Sequence, residues 1–73
     1  MQILNNIQKI RWEQNISLRE LSKLSGVAYT TIDMIENESY SNPTLETALR
    51  ISKGLKKPIY EVFDLDWENI DFD

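Results

Sequence analysis

Residues 17–37 read SLRELSKLSGVAYTTIDMIEN, and the fold is decided here. The opening Ser17-Leu18-Arg19-Glu20 is a capping-box pattern, in which the serine hydroxyl suits the amide three residues on and the glutamate carboxylate returns to the serine amide. Leu18, Leu21 and Leu24 recur every three residues, which predicts a short helix with these leucines on its apolar side. Ser25-Gly26-Val27 ends that helix, because glycine enters a left-handed turn without a steric penalty. A second short helix is expected over Tyr29 to Asn37. Ile32 and Ile35 turn inward there, which leaves Tyr29, Thr30, Asp33 and Met34 mostly outward.

Working outward, Ile3, Ile7 and Ile10 predict a first helix from about Ile3 to Gln14, broken at Asn15-Ile16. Beyond the central pair, Glu38 to Asn42 is a polar loop. A fourth helix starts at Asn42-Pro43 or Thr44, since proline suits a first helical turn, and Leu45, Ala48, Leu49, Ser52 and Leu55 are expected to form its buried stripe. Lys56-Lys57-Pro58 breaks it. A short fifth helix carries Ile59, Val62 and Phe63, and Asp64 to Asp73 forms an acidic tail with Trp67, Ile70 and Phe72. The expected architecture is all-α, a five-helix bundle over residues 1–64 followed by a tail over 65–73.

At 73 residues the chain has room for one small core. Cysteine and histidine are both absent, which removes disulfides, thiolate chemistry and the commonest general base and metal ligand. No glycine-rich phosphate loop or carboxylate cluster at metal-ligand spacing replaces them, so neither an enzyme nor a cofactor or metal site is expected. No apolar run approaches the roughly 18 residues of a membrane span, and Met1 to Ile10 lacks the basic and apolar regions of a signal peptide. A cytoplasmic protein without a membrane partner is the expectation. The net charge of −4 is unevenly distributed. Residues 1–57 hold eight bases and six acids, 8 − 6 = +2, whereas residues 58–73 hold six acids and no base, −6. A mildly basic body therefore carries an acidic end, and overall charge is a poor guide to its partners.

The run from Ser17 to Asn37, continued by Asn42-Pro43-Thr44-Leu45-Glu46-Thr47 and ending near Ile59-Tyr60-Glu61-Val62-Phe63, resembles the phage-repressor and Cro-like helix-turn-helix family, also called the xenobiotic-response-element family. Leu21, Gly26, Val27, Ile32, Ile35-Glu36-Asn37 and Pro43 stand where its pattern places them. The resemblance implies a sequence-specific DNA-binding transcriptional regulator, expected to be a repressor, whose partner is double-stranded DNA. It implies base-reading roles for Tyr29, Thr30, Asp33 and Met34, with Thr31 nearer the DNA backbone. Backbone contacts are implied for Ser17 and Leu18 and, on the far side, for Asn37, Tyr40, Ser41 and Asn42. It further implies a largely buried ion pair between Arg11 and Glu36, which makes Glu36 structural rather than catalytic.

Several positions depart from the family pattern. Leu18 stands where glutamine often hydrogen-bonds phosphate, Ala28 where serine or threonine usually caps the third helix, and Glu38 where glycine commonly follows. The recognition helix carries no Lys or Arg, and Asp33 repels phosphate although it can accept from a cytosine amino group. Plainer roles stand beside these: Tyr29 and Met34 as surface residues, Asp33 as a solvated charge, Tyr40 as loop packing, Trp12 as packing at the core edge, and Lys9, Lys23, Lys53, Lys56 and Lys57 as solvated charges. For the tail, Trp67, Ile70 and Phe72 are candidates for a homodimer contact, the favoured reading because they are costly to leave in water. Binding of another protein and simple fraying are the alternatives. The competing function is a protein-interaction module on the same fold, antirepressor-like or antitoxin-like, with weak or no DNA binding.

Overall fold

A computed structural model describes residues 3–37 and 42–65. The chain runs β1 (Ile3–Asn5), α1 (Ile7–Glu13), α2 (Leu18–Ser25), α3 (Tyr29–Glu36), α4 (Leu45–Leu55), α5 (Ile59–Val62) and β2 (Phe63–Leu65). Five helices make the body. The two short strands pair antiparallel, with Ile3 opposite Leu65 and Asn5 opposite Phe63.

The sheet corrects the sequence reading at both ends. The first helix was expected from Ile3, but Asn5 and Asn6 stop it there. The Asn5 side chain accepts from the Ile7 amide at 3.2 Å, and the Asn6 amide donates to the Val62 carbonyl at 2.8 Å. Asparagine readily substitutes such local bonds for helical ones. Phe63 likewise leaves the fifth helix, and Asp64 and Leu65, read as tail, are strand. Three residues per strand are too few for periodicity to register, so their pairing was hidden.

The central pair forms as its punctuation indicates. The Glu20 amide donates to Ser17 Oγ at 3.1 Å and the Ser17 amide to Glu20 Oε1 at 3.4 Å, completing the capping box. Gly26 adopts φ +74°, the left-handed region where a side chain is strained. Ile16 and Leu21, which flank the cap, both belong to the apolar interior, as in a hydrophobic staple.

One core unites Ile7, Ile10, Leu21, Val27, Ile32, Ile35, Ile51, Leu55 and Val62, with Ile16, Leu18 and Phe63 packed against it. Each side chain fully withdrawn from water there is worth about 1.5–3 kcal/mol. Helix α2 lies closest to α4, and Gly54 permits the approach. A Cβ on Gly54 would sit 3.0 Å from Ser25 Cβ and 3.1 Å from the Ser25 amide nitrogen. The stripe expected on α4 is rotated: Ala48, Ile51, Ser52, Gly54 and Leu55 are buried, whereas Leu45 and Leu49 are exposed. Leu24 on α2 and Trp12 on α1 are exposed as well, so neither packs as the sequence reading had it. Spacing alone could not distinguish two adjacent apolar stripes on one helix, because which of them meets α2 depends on tertiary packing.

Candidate nucleic-acid interface

Helix α3 is amphipathic across a sharp boundary. On an ideal helix Tyr29, Asp33, Thr30 and Met34 fall within an arc of about 140°, and Ile32 and Ile35 lie on the other side. All four arc residues are exposed and both isoleucines are buried. Thr31, between the two zones, is half-buried.

The C-terminal end of α3 is tightly held. Arg11 Nε donates to Glu36 Oε1 at 2.9 Å and Arg11 Nη2 to Glu36 Oε2 at 3.3 Å, a two-point contact that matches the planar guanidinium to the carboxylate. Their side chains are 10% and 3% exposed. Arg11 Nη1 also donates to the Ile16 carbonyl at 3.0 Å, which ties the same cation to the segment before α2. Asn5 Nδ2 donates to the Ile35 carbonyl at 2.9 Å, satisfying one of the carbonyls that a helix end leaves open. Gln14 Nε2 performs the same service for α4 at the Leu55 carbonyl, 2.6 Å away. The sequence reading did not single out Asn5 or Gln14. Both reach across the fold to main-chain atoms, and no pattern along the chain signals that.

The N-terminal end is open. Ala28 precedes α3 with no side-chain cap bond, so the first amides of the helix lack the acceptor that serine or threonine would give. The other candidates lie at the start of α2, at the far end of α3 and before α4. Ser17 is exposed, its oxygen occupied by the Glu20 amide, while its hydroxyl proton is free to donate. Leu18 packs its side chain toward the core, so the leucine that replaces a hydrogen-bonding residue works for stability. Asn37 Nδ2 donates to Asp33 Oδ1 at 2.9 Å, which joins a base-reading candidate to a backbone-contact candidate. Asn42 is exposed before α4. Tyr40 and Ser41 lie outside the described residues, as do Trp67, Ile70 and Phe72 of the tail.

One contact was not anticipated. The Arg19 guanidinium, in the first turn of α2, stands 5.4 Å from the centroid of the Tyr29 ring, within cation–π range. It connects α2 to the first residue of α3. Among the described residues no group of His, Cys, Asp and Glu side chains suits a metal ion, and no helix is long and apolar enough to cross a membrane.

An exposed helix face, secured from behind and preceded by a second helix across a glycine turn, has the dimensions that B-DNA's major groove admits. Comparison with known proteins agrees. Residues 7–62 match the family model HTH_3, Helix-turn-helix, and that span is more than half of the 73 residues. No curated protein matches the chain. The match and the geometry together place the chain in the Cro/C1-type helix-turn-helix family, whose members are DNA-binding transcription regulators.

Proposed function

We propose that the chain is a sequence-specific regulator, a repressor by mode of action, that inserts α3 into the major groove and binds a pseudo-palindromic operator as a homodimer. The observation that carries this reading is the exposed arc of Tyr29, Thr30, Asp33 and Met34 on a helix anchored at its other end. Thr30 offers a hydroxyl to base edges, Met34 and Tyr29 offer apolar contact to thymine methyls, and Asp33 accepts from a cytosine amino group. Ser17, the Leu18 amide, Thr31, Asn37, Tyr40, Ser41 and Asn42 set the register on phosphates.

Dimerisation follows from how few contacts one module makes, since a two-fold pair doubles them over half-sites about 34 Å apart. A groove of about 320 Å³ lined by Ile3, Pro43, Leu45, Ile59, Phe63 and Leu65 supports it. The lining draws on β1, α4, α5 and β2 and leaves α3 free. This apolar groove is the surface proposed to receive a second copy; Trp67, Ile70 and Phe72, the dimer candidates of the tail, follow it in sequence.

Selection of bound duplexes from a random library at moderate salt tests the proposal. The expected product is an inverted repeat with half-site centres about 10 base pairs apart, bound with an affinity that falls steeply with salt. Equal affinity for every duplex would end it. The absence of Lys and Arg from α3 and the acidic end of the chain favour the second reading, a protein-interaction module, and the same experiment decides between them: that module recovers no duplex even at low salt.

A further inference from the structure

Helix α3 has no basic residue, and its exposed acid, Asp33, faces outward. A helix of this charge approaches a polyanion unfavourably unless a neighbour supplies a cation at the same place. Arg11, Arg50 and Lys57 are engaged with Glu36, Glu46 and Glu61. Arg19 forms no ion pair among the described residues, is exposed, and rests against Tyr29 at the leading edge of α3. The guanidinium makes no hydrogen bond among the described residues, so its N–H groups can meet a phosphate as the planar fork by which arginine recognises it.

We propose that Arg19 is a DNA-contacting residue of this chain: delivered by α2 and held on the Tyr29 ring, it donates to a phosphate at the edge of the groove that α3 occupies. The inference rests on α3 being the groove-bound helix, because the first helix of such a pair crosses the DNA backbone beside it. Arg19 thereby supplies the positive charge missing from α3.

The test uses the full chain and the best duplex from the library selection, with affinity measured across a salt series for the wild type, Arg19→Ala and Arg19→Lys. Each phosphate contact contributes about 0.9 to the slope of log K against log salt. Arg19→Ala is expected to flatten the slope by about 0.9 per protomer and to weaken all duplexes alike, with the helical circular dichroism unchanged. Arg19→Lys keeps the charge, so it retains the slope while losing part of the affinity that the planar fork provides. An Arg19→Ala chain with the wild-type slope overturns the inference, whether its affinity is unchanged or merely reduced. So does a loss confined to one base pair, which would make Arg19 a base reader. If the wild type itself binds no duplex, the reading of α3 and this inference fall together, whereas a wild type that binds and an Arg19→Ala chain that matches it sink the inference alone.

Discussion

The two ends of α3 are built on opposite principles. At the trailing end, Glu36 and the Ile35 carbonyl are gripped by Arg11 and Asn5 from α1 and β1, with the charges withdrawn from water. At the leading end, Ala28 provides no cap and Tyr29 and Thr30 stand in solvent; Ser22 and Ser25 hold the main chain of the preceding Val27, and on α3 itself the side-chain tether among the described residues is the Arg19–Tyr29 contact. A helix that must enter a groove needs rigidity without obstruction. Concentrating the restraints on one end provides both, because a rod fixed at its base has a defined tip even when nothing surrounds the tip.

This contrast breaks most severely at the base. Removing either partner of a buried ion pair strands the other charge, so Arg11→Ala or Glu36→Ala should cost about 3–5 kcal/mol. A domain of this size has only about 5–15 kcal/mol in total, so the variants lie near unfolding. Urea denaturation measures the loss, and the double variant should lose less than the sum of the singles because neither charge is then left unpaired. A loss under about 1 kcal/mol, the range of exposed pairs, would show that the trailing end is not where α3 is held.

The turn comes next. Gly26→Ala forces a side chain into φ +74°, at a cost of about 1–2 kcal/mol. The nearest atom to the new Cβ is Arg50 Nη1 at 3.1 Å, the end of a flexible side chain, so strain in the backbone rather than crowding sets the loss. Thermal unfolding of Gly26→Ala beside Gly26→Asn separates the two, since asparagine tolerates this conformation better than alanine although it is bulkier. If Gly26→Asn is the less stable of the two, crowding governs the turn.

What was legible in the sequence follows the same division. Features with a local cause could be read directly: the Ser17–Glu20 capping box, the Gly26 turn, and the inward isoleucines and outward arc of α3 each depend on residues within one or two turns. The overall family could be read because Leu21, Gly26, Val27 and Ile32 recur as a pattern. Features with a distant cause were hidden. Asn5 meets Ile35 across 30 positions and Gln14 meets Leu55 across 41, and β1 pairs with β2 from the opposite end of the described chain. Leu45 and Leu49 looked buried because they are leucines at helical spacing, yet the closeness of α2 and α4 at Gly54 turns Ile51 inward instead. Arg19 escaped notice for a similar reason: its significance lies in Tyr29, on another helix.

The open end can be sharpened by closing it. Ala28→Ser places a hydroxyl beside the Tyr29 and Thr30 amides of α3, which have no hydrogen-bond acceptor among the described residues, whereas the Thr31 amide already donates to the Ala28 carbonyl at 3.0 Å. The backbone at Ala28, φ −56° and ψ 137°, is one that serine adopts without strain. A gain of about 0.5–2 kcal/mol is expected, the reverse of the loss when such caps are removed. An unchanged denaturation midpoint would mean that solvent already satisfies those amides as well as a side chain does.

The smallest effect on stability and the largest on recognition should coincide at Met34. The residue is 43% exposed, so Met34→Ala should alter the unfolding free energy by no more than about 0.5 kcal/mol, as at other surface positions. If α3 reads DNA with its outward arc, the same change removes an apolar contact to one base pair, where a mismatch ordinarily costs about 1–3 kcal/mol. Affinities for the selected duplex and its single-base-pair variants would then converge at that position and stay distinct at the others. A structural role for Met34 predicts the opposite pattern, a lower melting midpoint with discrimination intact. Convergence at every position at once would indicate that the whole of α3 had moved, which truncation of an exposed side chain has no means to cause while Arg11 and Asn5 still hold Glu36 and the Ile35 carbonyl.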